Sequence, residues 1–252
     1  MNDSAEYLAK KAFFEKILTI YGRHAVLEAL EDDAIGIHKL HLSKTNRSAE
    51  ILETIVEIAT KREIEIVYHD HKSLSRISKN AKQDQGVALD IVLDNQRSIE
   101  TFVSAHPHYR IMVLDGVTNP QNLGMIIRSC TAGNIDAIVV PSKGSAQISP
   151  LVIKASAGTL FKLPIIQVKE MKGSLLALKR DGAALYMLSS HAKNNYKEQP
   201  YGEKTIFVLG NESSGVSDEI ADLCDNAIAI PMNRGVESLN VAVAASLLAF
   251  MA

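Results

Sequence analysis

Apolar and polar positions alternate between two rhythms along the first third of the chain. Residues 5–14 carry helical spacing, residues 17–21 read as a short strand, and a helix opens at Gly22 ahead of an alternating strand at 37–42. Ile51, Leu52, Ile55, Val56 and Ile58 then recur at helical spacing and predict a helix over 48–62, followed by strands over 64–68 and 87–93. The pattern is that of a compact α/β domain over residues 1–95. Residues 96–108 are polar, contain Pro107 and hold no firm period, which suits a linker or a short surface helix.

From residue 109 the rhythm changes to unbroken apolar runs at 111–114, 137–140, 163–168, 184–188, 206–209 and 227–230, most of them separated by helical segments. Strands buried on both faces read this way, so residues 109–252 predict a parallel sheet covered by helices. Ligands of such sheets sit beyond the carboxyl ends of the strands. The loops to inspect are therefore those that leave the apolar runs.

Composition alters this picture only at its edges. With 252 residues and 46% hydrophobic content the chain can bury a substantial core, and no apolar run reaches the roughly 18 residues of a membrane span. The charged amino-terminal stretch has no apolar signal core, which predicts a cytoplasmic protein. Cys130 and Cys224 lie in apolar helical patterns away from any metal-type spacing, so they read as buried reduced thiols and no metal site is expected. The 27 basic and 29 acidic residues leave a formal charge of −2. Contact with nucleic acid would thus depend on local basic patches rather than overall charge.

Three loops stand out. The first runs from Asp115 through Asn119-Pro120-Gln121-Asn122-Leu123-Gly124 into a largely apolar helix carrying Arg128. Asn122 is placed to cap that helix and Gly124 to allow close backbone approach. An isolated arginine on such a helix would ordinarily snorkel to solvent or pair with a carboxylate. The second loop, Gly210-Asn211-Glu212-Ser213-Ser214-Gly215, follows a β-branched strand and offers exposed amides and two glycines to a ligand. The third, Ile230-Pro231-Met232 through Ser238-Leu239-Asn240, leads into an Ala-rich helix for which Ser238 or Asn240 is a natural cap.

Taken in order, Asn122-x-Gly124-x-x-x-Arg128, Gly210-Asn211-Glu212 with Gly215, and Ile230-Pro231-Met232 with Ser238-Leu239-Asn240 resemble the three motifs of the SpoU (TrmH-like) family of RNA ribose methyltransferases in the SPOUT superfamily. In the amino-terminal half, the segment from Tyr21-Gly22-Arg23-His24 to Leu30 and Gln85-Gly86-Val87 resemble the small RNA-binding domain of the branch that modifies 23S ribosomal RNA. The resemblance implies a catalytic domain whose carboxyl-terminal segment threads a loop as a trefoil knot, a feature very rare among proteins. It also implies a homodimer and S-adenosylmethionine as cofactor. The cofactor would lie against Gly210, Ile230, Met232 and Leu239, with Ser189 a weaker candidate, and the favoured substrate is a guanosine 2′-hydroxyl of ribosomal RNA. Two features depart from the pattern: Ser213 replaces a frequent glycine, which could alter loop geometry, and the chain ends sooner than many relatives, which could weaken dimer packing.

Within that family the arginine matching Arg128 is held to activate the 2′-hydroxyl. A guanidinium with a pKa above about 12 rarely releases its proton, and an equally acceptable role keeps Arg128 cationic, gripping phosphate and stabilising the developing alkoxide. Asn122, Glu212, Ser238 and Asn240 would orient it or the ribose through hydrogen bonds. Arg23, Lys72, Arg76, Lys79 and Lys82 are the basic candidates for RNA contact, against the alternative of a solvated helix face. A transfer RNA substrate and a non-catalytic RNA-binding ribosome-assembly factor of the same fold stand as alternatives. A conventional doubly wound methyltransferase or dehydrogenase is disfavoured because the turn after the first strand of the parallel sheet lacks the glycine fingerprint.

Overall fold

The computed structural model describes residues 13–14, 17–33, 35–79, 84–92 and 98–251. The chain forms two compact units, residues 1–94 and 95–252.

In the first unit the elements are β1 (Ile17–Tyr21), α1 (Arg23–Glu31), β2 (Gly36–Ser43), α2 (Glu50–Lys61), β3 (Ile66–His69), α3 (His71–Ser78) and β4 (Val87–Val92). The four strands pair in the order β1-β4-β2-β3, with β4 antiparallel to both neighbours and β3 parallel to β2. Parallel pairing needs a crossover, and α2 supplies it: Leu52, Ile55 and Ala59 lie at i, i+3 and i+7 and are buried. Arg62, just past α2, donates from its guanidinium to the carbonyls of Leu30 (2.7 Å) and Ile35 (2.9 Å), filling acceptors at the end of α1 and beyond it. The expected helix at 5–14 lies outside the described residues except for its last two. Helix α3 is missing from the sequence expectations. It is short and polar, buries Leu74 and Ser78, and is capped by Asp70, which accepts from the Ser73 amide (2.8 Å) and hydroxyl (2.9 Å).

In the second unit α4 (Ile99–Ala105), β5 (Tyr109–Leu114), α5 (Pro120–Ala132), β6 (Ala137–Pro141), α6 (Pro150–Ala155) and β7 (Ile165–Val168) are followed by α7 (Met171–Arg180), β8 (Ala184–Leu188), β9 (Asn194–Asn195), β10 (Lys204–Leu209), α8 (Asp218–Ala221), β11 (Asn226–Ala229) and α9 (Val241–Ala249). The seven strands run β7-β6-β5-β10-β8-β11-β9 with every pairing parallel. All six expected apolar runs contribute a strand, and the two-residue β9 was not foreseen. Of the two expectations for 96–108, the described residues 98–108 hold the short helix, with one side of it buried. Ser98 caps α4, and Ile99 and Phe102, one turn apart, are buried in the core formed by Ile111, Val139, Leu175, Leu185 and Val208. No described helix is long and apolar enough to cross a membrane.

The chain leaves β5 toward β6 on one side of the sheet, while β10 hydrogen-bonds β5 on the other. The carboxyl ends of β5 and β10 therefore flank a topological switch point, where crevices open in parallel sheets. The first two motif loops leave those two strands, and the third leaves β11.

Candidate active site

Helix α5 begins one turn earlier than its sequence suggested. Its cap is Asn119, whose Oδ1 accepts from the Gln121 amide (2.8 Å), with Pro120 in the first turn where a missing amide costs nothing. Asn122 is thereby freed from capping, which corrects its expected role. It is buried, and its Nδ2 donates to Glu212 Oε1. Asn240 caps α9, accepting from the Ala242 amide (2.8 Å) through Oδ1, while its Nδ2 donates to Asn122 Oδ1 (3.1 Å). Since a backbone N–H can only donate, this chain of contacts sets the orientation of both amides in turn. One buried side chain thus ties the three motif loops together across 90 and 118 residues of sequence.

Further bonds hold the first two loops against each other. Asn211 Nδ2 donates to the Gly116 carbonyl (2.8 Å), the Ser217 amide to Asp115 Oδ2 (2.8 Å) and the Asp115 amide to the Leu209 carbonyl (2.8 Å). Within the second loop Asn211 and Gly215 exchange backbone bonds, each 2.9 Å. This closure leaves no room at Gly210, where a Cβ would lie 2.0 Å from the Gly215 carbonyl carbon and 2.1 Å from the Val216 nitrogen. Gly124 is equally confined: a Cβ there would lie 2.4 Å from the Ala155 Cβ and 2.6 Å from the Val152 oxygen, so α5 and α6 touch backbone to backbone.

Beside this network, the loop after β8 meets the end of β11, with the Ser189 amide donating to the Ile228 carbonyl (2.9 Å). Ser189 and Ile230 are half-buried, as is Met232, whereas Leu239 is exposed. Among the described residues, the backbone of 231–239 forms one internal hydrogen bond, Val236 N to Asn233 O (3.2 Å). The loop from Ile230 to Leu239 thus carries apolar side chains and few internally paired amides, the kinds of group that bind a flat heterocycle. Ser238 is exposed on the same loop and joins no hydrogen bond among the described residues.

Arg128 does not reach the network. Six residues past Asn122, it is turned by about 120° around a helix of 3.6 residues per turn, and it is exposed without a polar partner among the described residues. Met125 on α5 is exposed nearby, as are Val243 and Leu247 on α9 and Phe250 just beyond it. These two helices are held together by the Ser129 and Ser246 hydroxyls at 2.7 Å.

Of the basic candidates in the first unit, Lys72, Arg76 and Lys79 fall at i, i+4 and i+7 and are all exposed, on or at the end of α3. Arg23 is occupied instead, its Nε donating to the Gln85 carbonyl (3.3 Å) and its amide to Gln85 Oε1 (3.0 Å). Lys82 lies outside the described residues. Cys130 is fully buried, and burial pushes its thiol up to about 12; Cys224 is only half-buried, and burial with the nearby Asp225 charge raises it to about 11. Neither is poised as a nucleophile.

Two family models match this chain: "SpoU rRNA Methylase family" over residues 109–250 and "RNA 2'-O ribose methyltransferase substrate binding" over residues 19–96. A protein of Staphylococcus saprophyticus named in the TrmH family of tRNA/rRNA methyltransferases is 30% identical over 237 residues, covering 92% of this chain and 94% of its own. The 23S rRNA (guanosine-2'-O-)-methyltransferase RlmB of Xylella fastidiosa is 31% identical with the same coverage. Among solved structures, the SpoU methyltransferase AviRb of Streptomyces viridochromogenes, in complex with AdoMet, superposes with a TM-score of 0.80 at 20% identity, over 98% of this chain and 91% of its own. At that identity the likeness is one of fold.

Proposed function

Because the chain belongs to the SpoU rRNA methylase family, we propose that it transfers a methyl group from S-adenosylmethionine to a ribose 2′-hydroxyl in RNA, with a guanosine of 23S ribosomal RNA as target. The observation that carries the reading is the convergence of the three motif loops on Asn122, through Glu212 and Asn240. The guanosine target is supported by the name of the Xylella relative. The sulfonium cofactor supplies an electrophilic methyl group; the protein must align it with the ribose oxygen and dispose of one proton. Alignment of this kind contributes roughly 7–11 kcal/mol.

Gly210, Ile230, Met232, Leu239 and Ser189 hold the cofactor. Asn122, Glu212 and Asn240 fix the loops around it, Ser238 faces the ribose, and Arg128 carries the charge that meets the reacting hydroxyl or the adjacent phosphate. The active form is a cytoplasmic homodimer, supported by the exposed Met125, Val243, Leu247 and Phe250. A second copy on that surface would also enclose Arg128. The carboxyl-terminal segment threads as a trefoil knot, a reading supported by the insertion of β10 between β5 and β8. The first unit binds RNA through Lys72, Arg76 and Lys79, with Lys82, outside the described residues, a further candidate from the sequence alone.

The test incubates the protein with tritiated S-adenosylmethionine and ribosomal or transfer RNA from cells lacking its gene. Alkali-resistant label in 23S RNA, reduced about 10²–10³-fold by Arg128→Ala, is the expected result. Label in transfer RNA alone would move the substrate, as the tRNA/rRNA name of the Staphylococcus relative allows. Cofactor binding without label in either RNA would identify a non-catalytic assembly factor.

A further inference from the structure

The first unit holds a groove of about 490 Å³ on a different element from the basic face of α3. It opens where the parallel strands β2 and β3 end and α2 begins, the position at which crossover units receive ligands. Leu42, Leu52 and Val56 supply apolar lining and Tyr68 lines its outer side. Leu42 and Tyr68 are register partners on adjacent strands, yet Leu42 is buried and Tyr68, on the edge strand, is 54% exposed. The Tyr68 hydroxyl has no hydrogen-bond partner among the described residues, so neither packing nor polar contact accounts for an aromatic ring at that place.

The other end of the groove is cationic. Lys44 and Arg47 are exposed on the loop between β2 and α2, and neither forms an ion pair among the described residues. That loop is braced: the Lys44 amide donates to the His69 carbonyl (2.8 Å), Asn46 Nδ2 to the Gly86 carbonyl (2.8 Å), and the Ser43 and Thr45 hydroxyls share a bond of 3.0 Å. Glu53 accepts from the Ser48 hydroxyl (2.5 Å), and Glu57 follows one turn later on the same side of α2. Carboxylates there repel phosphate and present acceptors to N–H donors. The groove thus has an apolar and aromatic slot, cations at one end and acceptors along one side.

We propose that this groove takes one unstacked nucleobase of the RNA substrate, stacked on Tyr68, with its flanking phosphate on Lys44 and Arg47. The proposal rests on the RNA-methyltransferase reading above and adds to it a second point of recognition in the substrate-binding unit. A protein ligand would use the apolar slot but leave the paired cations without a purpose, whereas a nucleotide uses both ends.

The test measures binding of the full chain to 23S ribosomal RNA and to a single-stranded mixed-sequence RNA decamer, across a salt series, beside S-adenosylmethionine affinity. Loss of one base stack predicts that Tyr68→Ala weakens RNA binding about 5–150-fold while Tyr68→Phe keeps it. Lys44→Ala with Arg47→Ala should flatten the salt dependence by about one phosphate contact or more. Cofactor affinity, which depends on the second unit, should not change in any of these variants, and the circular dichroism spectrum and melting of the first unit should match wild type. Wild-type RNA affinity in Tyr68→Ala, with normal cofactor binding, would overturn the groove proposal and leave the methyltransferase reading intact. Failure of the unaltered protein to bind either RNA would overturn both.

Discussion

Replacing Asn122 by aspartate exchanges one NH₂ group for oxygen and leaves the volume of the site unchanged. The altered atom is the one that donates to Glu212. A hydrogen bond to a charged acceptor contributes about 1.5–3 kcal/mol when buried, and the exposure of Glu212 places this one near the lower end. In its place two carboxylates face each other. At about 4 Å their repulsion lies between roughly 1 kcal/mol in water and 4 kcal/mol at an effective dielectric of 20. The repulsion also has a ceiling, because the pair can take up a proton: at 1.36 kcal/mol per pH unit above an ordinary carboxylate value near 4, that ceiling is about 4 kcal/mol at pH 7 and about 1.4 at pH 5. Asn122→Asp should therefore destabilise the second unit by about 2–4 kcal/mol at pH 7, and by less at pH 5. The chain contains no tryptophan, so urea unfolding is best followed by far-ultraviolet circular dichroism. Adding Glu212→Gln restores a donor opposite the new carboxylate and should recover most of the loss. An Asn122→Asp protein with unchanged stability at pH 7, or a double variant no better than the single one, would refute the network as described.

Two further outcomes follow from packing and from titration. Alanine normally stabilises a helix by about 0.8–1.0 kcal/mol relative to glycine, but Gly124→Ala should lower stability by up to about 2 kcal/mol, because the contacts at 2.4 and 2.6 Å to α6 force an overpacking cost of roughly 1–3; a raised urea midpoint would show that α6 simply moves away. In the first unit His41 Nδ1 faces His69 Nε2 at 2.9 Å while His41 Nε2 faces Asp90 at 3.2 Å, and burial with the neighbouring His41 charge holds the His69 pKa below its usual 6.5. The folded state therefore refuses a proton that the unfolded chain accepts, so stability is fully present above pH 6.5 and lost as pH falls through the depressed value; thermal melts at pH 7.5 and 5.5 should show this loss, and His69→Asn should flatten it.

How much of this was legible before the structure depended on the range of the interactions. The strands of the second unit could be read because a strand buried on both faces leaves a continuous apolar run, as at Ile111 to Leu114. Helix α4 was foreseen only as a surface helix in place of a linker, because only Ile99, Phe102 and Val103 mark its buried side among polar neighbours, and α3 was missed because a cap and two buried positions are little signal in eight residues. The start of α5 was misjudged although the signal was present: Asn119-Pro120 marks a cap followed by a first-turn proline more strongly than Asn122 does. The contacts from Asn122 to Glu212 and Asn240 span 90 and 118 residues and left no trace in any local pattern. Tyr68 lay inside the predicted strand at 64–68, and its exposure depends on β3 being the sheet edge.

The same distinction separates the parts of the proposed active site. Asn122 is held by α5, whose register against α6 is set at Gly124 by backbone contact, and by two partners on loops that are themselves closed at Gly210 and capped at Asn240. Nothing in that arrangement waits for a ligand, so its geometry exists before substrate arrives, as electrostatic preorganisation requires. Arg128 stands apart from it, exposed and without a polar partner among the described residues, on a surface where Met125 and Phe250 are also exposed. An arginine left free keeps its rotamer freedom until a ligand orders it, so under the proposed function its energetic contribution is realised only with RNA bound. Substitutions on the two sides of α5 should accordingly part company: those at Asn122 lower the stability of the protein alone, whereas Arg128→Ala leaves stability within about 0.5 kcal/mol of wild type and is felt only in the turnover of RNA.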